Sequence, residues 1–389
     1  MYNFSFSLVP KIEFGENKIH ALPKYILNYG SNIILVTGGN SLDNSGKYEM
    51  ISCLLRENNI DFHRVQVLGE PSPYFIDEIV KNHREEKIDL VVAIGGGSVI
   101  DTGKAISAMF LLDESTVDFL ELPKNTKKHP GNKLPFIAMP TTSGTGSEAT
   151  KNAVLSHVSS DGFKKSLRHS NFIPNVAIID PIFMVNTPTK VTISSGLDAF
   201  TQLLGAYLST KSNPLSDALA LSGIEAFSEG FNKALEDEKD LNARASLAYA
   251  AFLSGIVLAN VGLGIVHGIA GPLGGYFNIP HGTACATLLG EAIKLNINKL
   301  TYDEDTYYLE KYAKVGRILS NDPSLCIQKG CTTLINYIDH IIDTYKIPRL
   351  REYGITENSL DKIIKSSSNK NNPTELSYKD MEKILKNRL

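Results

Sequence analysis

The chain has 389 residues, 42% hydrophobic and 21% charged, ordinary globular usage that excludes a fibrous, collagen-like or wholly disordered protein. At ~100–200 residues per domain, the length suggests two or three domains. The 39 Lys and Arg residues against 42 Asp and Glu leave a formal charge of -3, without the basic excess that marks a nucleic-acid or anionic-membrane partner. Four cysteines (Cys53, Cys285, Cys326, Cys331) contain no CxxC pair and are too few for a disulfide framework. The opening MYNFSFSLVPKIEF lacks the basic and apolar regions of a signal peptide, and no run of about 18 or more apolar residues is present. The expectation is a cytoplasmic protein with large buried cores and no membrane span.

Taken in chain order, FSFSLVPKIEFG is expected to form a short hairpin. β-Branched runs at residues 32–37, 62–67, 89–94, 135–139 and 175–180 read as strands, with helix-length segments between the earlier ones. The runs at 89–94 and 175–180 are apolar nearly throughout, as suits strands buried on both faces. Ser72 followed by Pro73 reads as an N-cap and first helical residue. Residues 153–167 alternate around Asp161-Gly162 and read as a hairpin. Helices are expected at 188–210, 214–235, 240–262, 303–320, 324–345 and 375–388, the third being the central buried one. The fold class is α/β followed by all-α. A doubly wound parallel-sheet, dinucleotide-binding domain spans residues 1–185, and a helical domain for metal and substrate spans 186–389. The cleft between them is the default site.

DLVVAIGGGSVIDTGKAIS is the strongest local signal. A buried strand runs into Gly95, Gly96, Gly97 and Ser98, and a helix opens there. Glycines let backbone approach a phosphate, and a helix N-terminus offers free N–H groups and a positive dipole end. A tight strand-to-helix turn is the plain structural alternative. GxGxxG fails at Ile100, and the P-loop pattern fails on the Gly97–Gly103 spacing and at Ala105. PTTSGTGSEAT, after the strand at 135–139, supplies hydroxyls and small residues suited to a cofactor loop. After the strand at 32–37, where dinucleotide folds often place an acid on the adenosine ribose, stand Gly39, Asn40 and Ser41. Such a neutral loop leaves room for a 2′-phosphate and favours NADP over NAD.

Of nine histidines, His267 and His281 lie together in GIVHGIAGPLGGYFNIPHGTACA; the other seven read as surface residues. Asp198 and Gln202, at i and i+4, share a helix face. A carboxylate and two imidazoles suit a divalent ion with a position left open for substrate. Spacing alone leaves an N-terminal helix cap and structural histidines as alternatives.

Taken together, GGGSVIDTGKAI, PTTSGTGSEAT, VAIIDP, SSGLDAFTQ, HGIAGPLGGYFNIPHGTACA and NNPTE, in this order over nearly the whole chain, resemble the iron-containing (group III) alcohol dehydrogenases. The resemblance implies a dehydroquinate synthase-like two-domain fold, commonly a homodimer. It implies hydride transfer between NAD(P)(H) and a small alcohol, aldehyde or ketone at a divalent metal, iron or zinc. By that resemblance Asp101 stands behind the pyrophosphate loop. Thr141, Thr142 and Ser147 lie around the cofactor, and Lys164 reaches the nicotinamide ribose. Asp198, His267 and His281 match three metal ligands, the two histidines serving catalysis as well. The fourth ligand, usually His, is Gln202, a poorer donor for Fe²⁺ or Zn²⁺. A second His usual in the family is replaced by Gly271, and both changes widen the cleft. Three rivals follow: a metal-independent reductase of the maleylacetate type, a non-catalytic nucleotide binder, and a lyase of the dehydroquinate synthase kind. The absence of Lys and Arg from the segment around His267 and His281 disfavours the lyase.

Overall fold

The computed structural model describes residues 3–122 and 126–389. Its strands are β1 (Lys11–Phe14), β2 (Asn32–Gly38), β3 (Asp61–Val67), β4 (Leu90–Gly95), β5 (Phe136–Pro140), β6 (Asn152–His157), β7 (Phe163–Arg168) and β8 (Val176–Ile179). Six form one sheet in the order β1-β8-β5-β4-β2-β3, every pair parallel. The other two, β6 and β7, make a separate antiparallel hairpin. All residues of β4 and β8 are buried, which accounts for their unbroken apolar sequence. The expected N-terminal hairpin does not form. Residues 11–14 instead add one edge strand, parallel to β8, with Lys11 opposite Val176. Their polar, half-exposed character fits a sheet edge better than a hairpin with its own buried face.

Between the strands lie α1 (Leu22–Leu27), α2 (Ser41–Asn44), α3 (Lys47–Glu57), α4 (Pro73–His83) and α5 (Gly97–Met109). Ser72 caps α4 by accepting from Phe75 N at 3.1 Å. The chain passes from β2 to β3 on one side and returns to β4 on the other, so the sheet reverses direction between β2 and β4. A crevice at such a switch point, beyond the C-terminal strand ends, is where open α/β sheets bind ligands. Gly38 ends β2 there and Gly95 ends β4.

The helical half comprises α6 (Thr189–Tyr207), α7 (Pro214–Glu236), α8 (Leu241–Val261), α9 (Ile265–Tyr276), α10 (His281–Tyr302), α11 (Thr306–Ser320), α12 (Ile327–Thr344), α13 (Glu357–Ser366) and α14 (Tyr378–Asn387). By length and composition α8 passes for a membrane span, but 72% of its most apolar window is buried inside the bundle. A hydrophobic cluster including Phe200, Phe227, Leu247 and Leu288 ties α6, α7, α8 and α10 together. The pattern reading finds six of these nine helices and passes over α9, α10 and α13. His129 also departs from its expected surface place. It is buried, 3.1 Å from Ala108 O, and accepts from Gly131 N at 2.9 Å through Nδ1.

Candidate active site

α5 begins directly after the buried strand β4, with Gly96 as its N-cap. The first bond back into the helix runs from Val99 N to Gly96 O, so the amides of Gly97 and Ser98 are the open donors of a 13-residue helix. A side chain at Gly97 would displace Thr145, its Cβ falling 2.6 Å from Thr145 Cγ2, and one at Gly96 would press on Thr142 Oγ1 at 3.3 Å. The turn is thus bare backbone facing the 141–150 loop, and Thr141 N donates to Gly95 O at 2.9 Å.

Asp101 and Ser147 hold that arrangement from behind. The Ser147 hydroxyl donates to Asp101 Oδ1, and Val154 N donates to Asp101 Oδ2 at 2.9 Å. Lys104, fully buried, donates to Ser147 O, Thr150 Oγ1 and Asn152 O at 2.7–2.8 Å. Burial pushes the Lys104 ammonium down to about 8 and the nearby Glu148 carboxyl up to about 7. Asp101 and Ser147 therefore spend their hydrogen bonds on the scaffold while still lining the cleft.

Gly39, Asn40 and Ser41 sit at the C-terminal end of β2, Asn40 and Ser41 exposed. Beside them Arg64 makes a two-pronged pair with Asp43 at 2.8 and 2.6 Å and lies 3.5 Å from the Tyr48 ring. The nearest acid is thus already neutralised by an arginine, a pairing that sequence spacing does not reveal.

Three helices converge on the other wall. Asp198 of α6, His267 of α9 and His281 of α10 come together: Asp198 Oδ1 is 3.1 Å from His267 Nε2 and 3.8 Å from His281 Nε2. Cys285, one turn after His281, joins them with Sγ 3.6 Å from His267 Nε2 and 3.9 Å from His281 Nε2. Donor atoms of all four residues lie within 4.8 Å of one another. Burial works against the Asp198 charge, but the attraction of a protonated His281 and the His267 hydrogen bond outweigh it and draw the carboxyl below its usual range, so it loses its proton before His281 does. Burial, followed by Lys164 and His267, holds His281 neutral against the pull of Asp198. Carboxylate and neutral imidazole are the forms that bind cations. His281 Nδ1 is buried with no hydrogen-bond partner among the described residues. The donor set therefore fits a divalent transition metal.

Gln202 lines the same cleft, and its Oε1 lies 3.1 Å from the Ser254 hydroxyl of α8, whose nearer acceptor is Ala251 O at 2.7 Å. A Cβ at Gly271 would meet nothing within 4 Å, so the glycine does leave the cleft open.

The two walls face one cleft of about 290 Å³, lined by Gly97 and Ser98 on one side and by Gln202, His267, Gly271 and His281 on the other. Lys164, from the β6–β7 hairpin, enters it and pairs with Glu70 at 2.9 Å. Arg168 also borders it and pairs with Glu121 at 3.2 Å. The cleft therefore holds basic residues that the helical segment alone did not reveal, each balanced by a glutamate. Thr145, Thr150 and Asn152 line it too and were missed. They lie in or just after the PTTSGTGSEAT segment, so the signal was present at segment level.

A parallel sheet with a glycine turn at its switch point, facing a histidine–aspartate cluster across a cleft, defines a two-domain dinucleotide-dependent oxidoreductase of dehydroquinate synthase-like fold. The comparisons name the family. Residues 10–181 match the iron-containing alcohol dehydrogenases and residues 192–389 the C-terminal part of the same family, and the chain belongs to it. It is 32% identical over 389 residues to an NADPH-dependent butanol dehydrogenase of Clostridium saccharobutylicum, covering 97% of this chain and 96% of that one. Long-chain-alcohol dehydrogenase 1 of Geobacillus thermodenitrificans is 30% identical over 361 residues, covering 92% and 88%. The solved structure of an alcohol dehydrogenase from Oenococcus oeni superposes with a TM-score of 0.87 at 27% identity, covering 100% of both chains.

Proposed function

We propose that this NAD(P)-dependent alcohol dehydrogenase interconverts small aliphatic primary alcohols and aldehydes, with NADP(H) preferred. One observation carries the reading: the open N-terminus of α5 and the two histidines of the Asp198–His267–His281 cluster line the same cleft. Residues 1–185 would carry the cofactor and 186–389 the metal and substrate. The amides of Gly97 and Ser98 would hold the pyrophosphate, with Thr141 and Thr142 bracing the turn and Asp101 and Ser147 fixing its distance from β6. Lys164, set by Glu70, stands between turn and cluster, where it would reach the nicotinamide ribose. The paired Arg64 and the uncharged Gly39-Asn40-Ser41 stretch support a 2′-phosphate. Asp198, His267 and His281 would hold iron or zinc, which when bound polarises the substrate oxygen as a Lewis acid. Leu258, Leu263 and Gly271 give that end of the cleft an apolar wall for an alkyl chain.

The test is consumption of NADPH and NADH with a series of short aldehydes, in metal-free protein and with added Zn²⁺, Fe²⁺ or EDTA. Turnover that needs metal and prefers NADPH is the expected result. An amide at position 202, where an imidazole is usual, favours a second reading, a metal-independent reductase, and full activity in the metal-free protein would establish it. Unchanged nicotinamide fluorescence on titration would remove the cofactor site altogether. The working form in this reading is a cytoplasmic homodimer, checked by sedimentation.

A further inference from the structure

We propose that Cys285 is the fourth protein donor of the metal centre, joining Asp198, His267 and His281. This rests on the metal reading above and makes the site an Asp-His-His-Cys set.

Geometry carries the proposal. Metal–nitrogen or metal–oxygen distances of about 2.1 Å and a metal–sulfur distance of about 2.3 Å give a tetrahedron with edges of about 3.4–3.6 Å. Four edges of the cluster measure 3.1, 3.8, 3.6 and 3.9 Å. The side chain is already in place, because Cys285 follows His281 by four residues on α10 and both project from one face of the helix. It is fully buried, and its Sγ lies within 4.8 Å of the other three donor atoms. Gln202, the helix-face partner of Asp198 on α6, is turned to Ser254. A thiolate in place of an amide oxygen also changes the chemistry. Sulfur is a soft donor that suits zinc, cobalt or ferrous iron, whereas amide oxygen suits magnesium or calcium. On coordination the Sγ–H bond breaks, the sulfur pair forms the bond to the metal, and the proton leaves to solvent.

The experiment uses the full chain stripped with chelator and reloaded with Co²⁺, read by absorption spectroscopy and by metal content. The expected result is a near-ultraviolet sulfur-to-cobalt charge-transfer band in the wild type. That band is lost in Cys285→Ser and kept in Gln202→Ala. The surface grouping of His63, His83 and Glu86 contains no sulfur and cannot give the band even if it takes up cobalt. The exposed Cys53 and Cys326 are controlled by their persistence in Cys285→Ser. Cobalt bound in a manner sensitive to Asp198→Asn but without the sulfur band, or with the band unchanged in Cys285→Ser, overturns this proposal and leaves the metal reading standing. No cobalt retained through Asp198 overturns both.

Discussion

The Gln202 amide oxygen and the Ser254 hydroxyl, on neighbouring helices, meet at 3.1 Å inside the protein, 2% and 0% exposed. Gln202 stands on the ligand-bearing face of α6, and the Ser254 hydroxyl that it meets has a closer acceptor in Ala251 O at 2.7 Å. Replacing Gln202 by His would return an imidazole to that face at the expense of the bond, which is worth about 0.5–1.5 kcal/mol. The expected outcome is slower loss of metal on dialysis against chelator and a lowered urea midpoint. Unaltered metal retention would mean that position 202 cannot reach the ion.

Gly271 stands at the cleft wall with open space where a side chain would be. Gly271→Leu should fill it. We expect kcat/KM for longer alcohols to fall about tenfold or more relative to ethanol, in keeping with the worth of a methylene group in an apolar pocket. An equal fall for all chain lengths would place the alkyl group elsewhere.

His267 is positioned from far away in the sequence. No side chain of its own segment caps α9; instead Asn372 Oδ1 accepts from Ile265 N at 3.3 Å, and Asn372 Nδ2 donates to Asn296 Oδ1 at 3.0 Å. Asn372→Leu strands these buried groups and should cost about 1–3 kcal/mol by chemical denaturation. Metal affinity should fall with it, since the first turn of α9 carries His267. Loss of stability with undiminished affinity would show that the histidine is held by packing alone.

Glu148 titrates about where cells work. Its carboxyl is raised from 4.5 to about 7 by burial, so between those values the folded chain binds the proton that the unfolded chain has released. Its contribution to stability is therefore complete below pH 4.5 and declines as pH rises to about 7. Glu148→Gln should flatten this slope, by an amount on the order of 1–3 kcal/mol between pH 4.5 and 7.5. Urea midpoints across that range in both proteins measure it, and parallel curves would refute the assignment.

Strands were legible wherever both faces are buried, because β4 and β8 have no choice but to be apolar throughout. The glycine turn was legible because Gly95, Gly96 and Gly97 have few other uses at the end of such a strand. β1 was misread because KIEF alternates polar and apolar residues as a hairpin strand would, and nothing local shows that its partner is the distant β8. α9 was passed over for a different reason. Its glycines break the helical pattern, yet two of them serve close approach: a Cβ on Gly268 would fall 1.6 Å from Ser368 O, and one on Gly275 2.9 Å from Lys164 N. The Asp198, His267 and His281 positions were readable from residue type. Cys285 was not, since a single thiol in TACAT looks like core until the fold sets it against two imidazoles. Nor could spacing show that Gln202 faces Ser254.

The close backbone approach at Gly275 has a mechanical consequence. The β6–β7 hairpin belongs by sequence to the nucleotide half, but it is also seated on α9. The 141–150 loop likewise packs on α8, where a Cβ on Gly255 would lie 2.0 Å from Gly146 O. The same two pieces are bonded to α5 through Asp101 and Lys104. They form a seam gripped from both sides, so the halves are joined by far more than the covalent connection at 185.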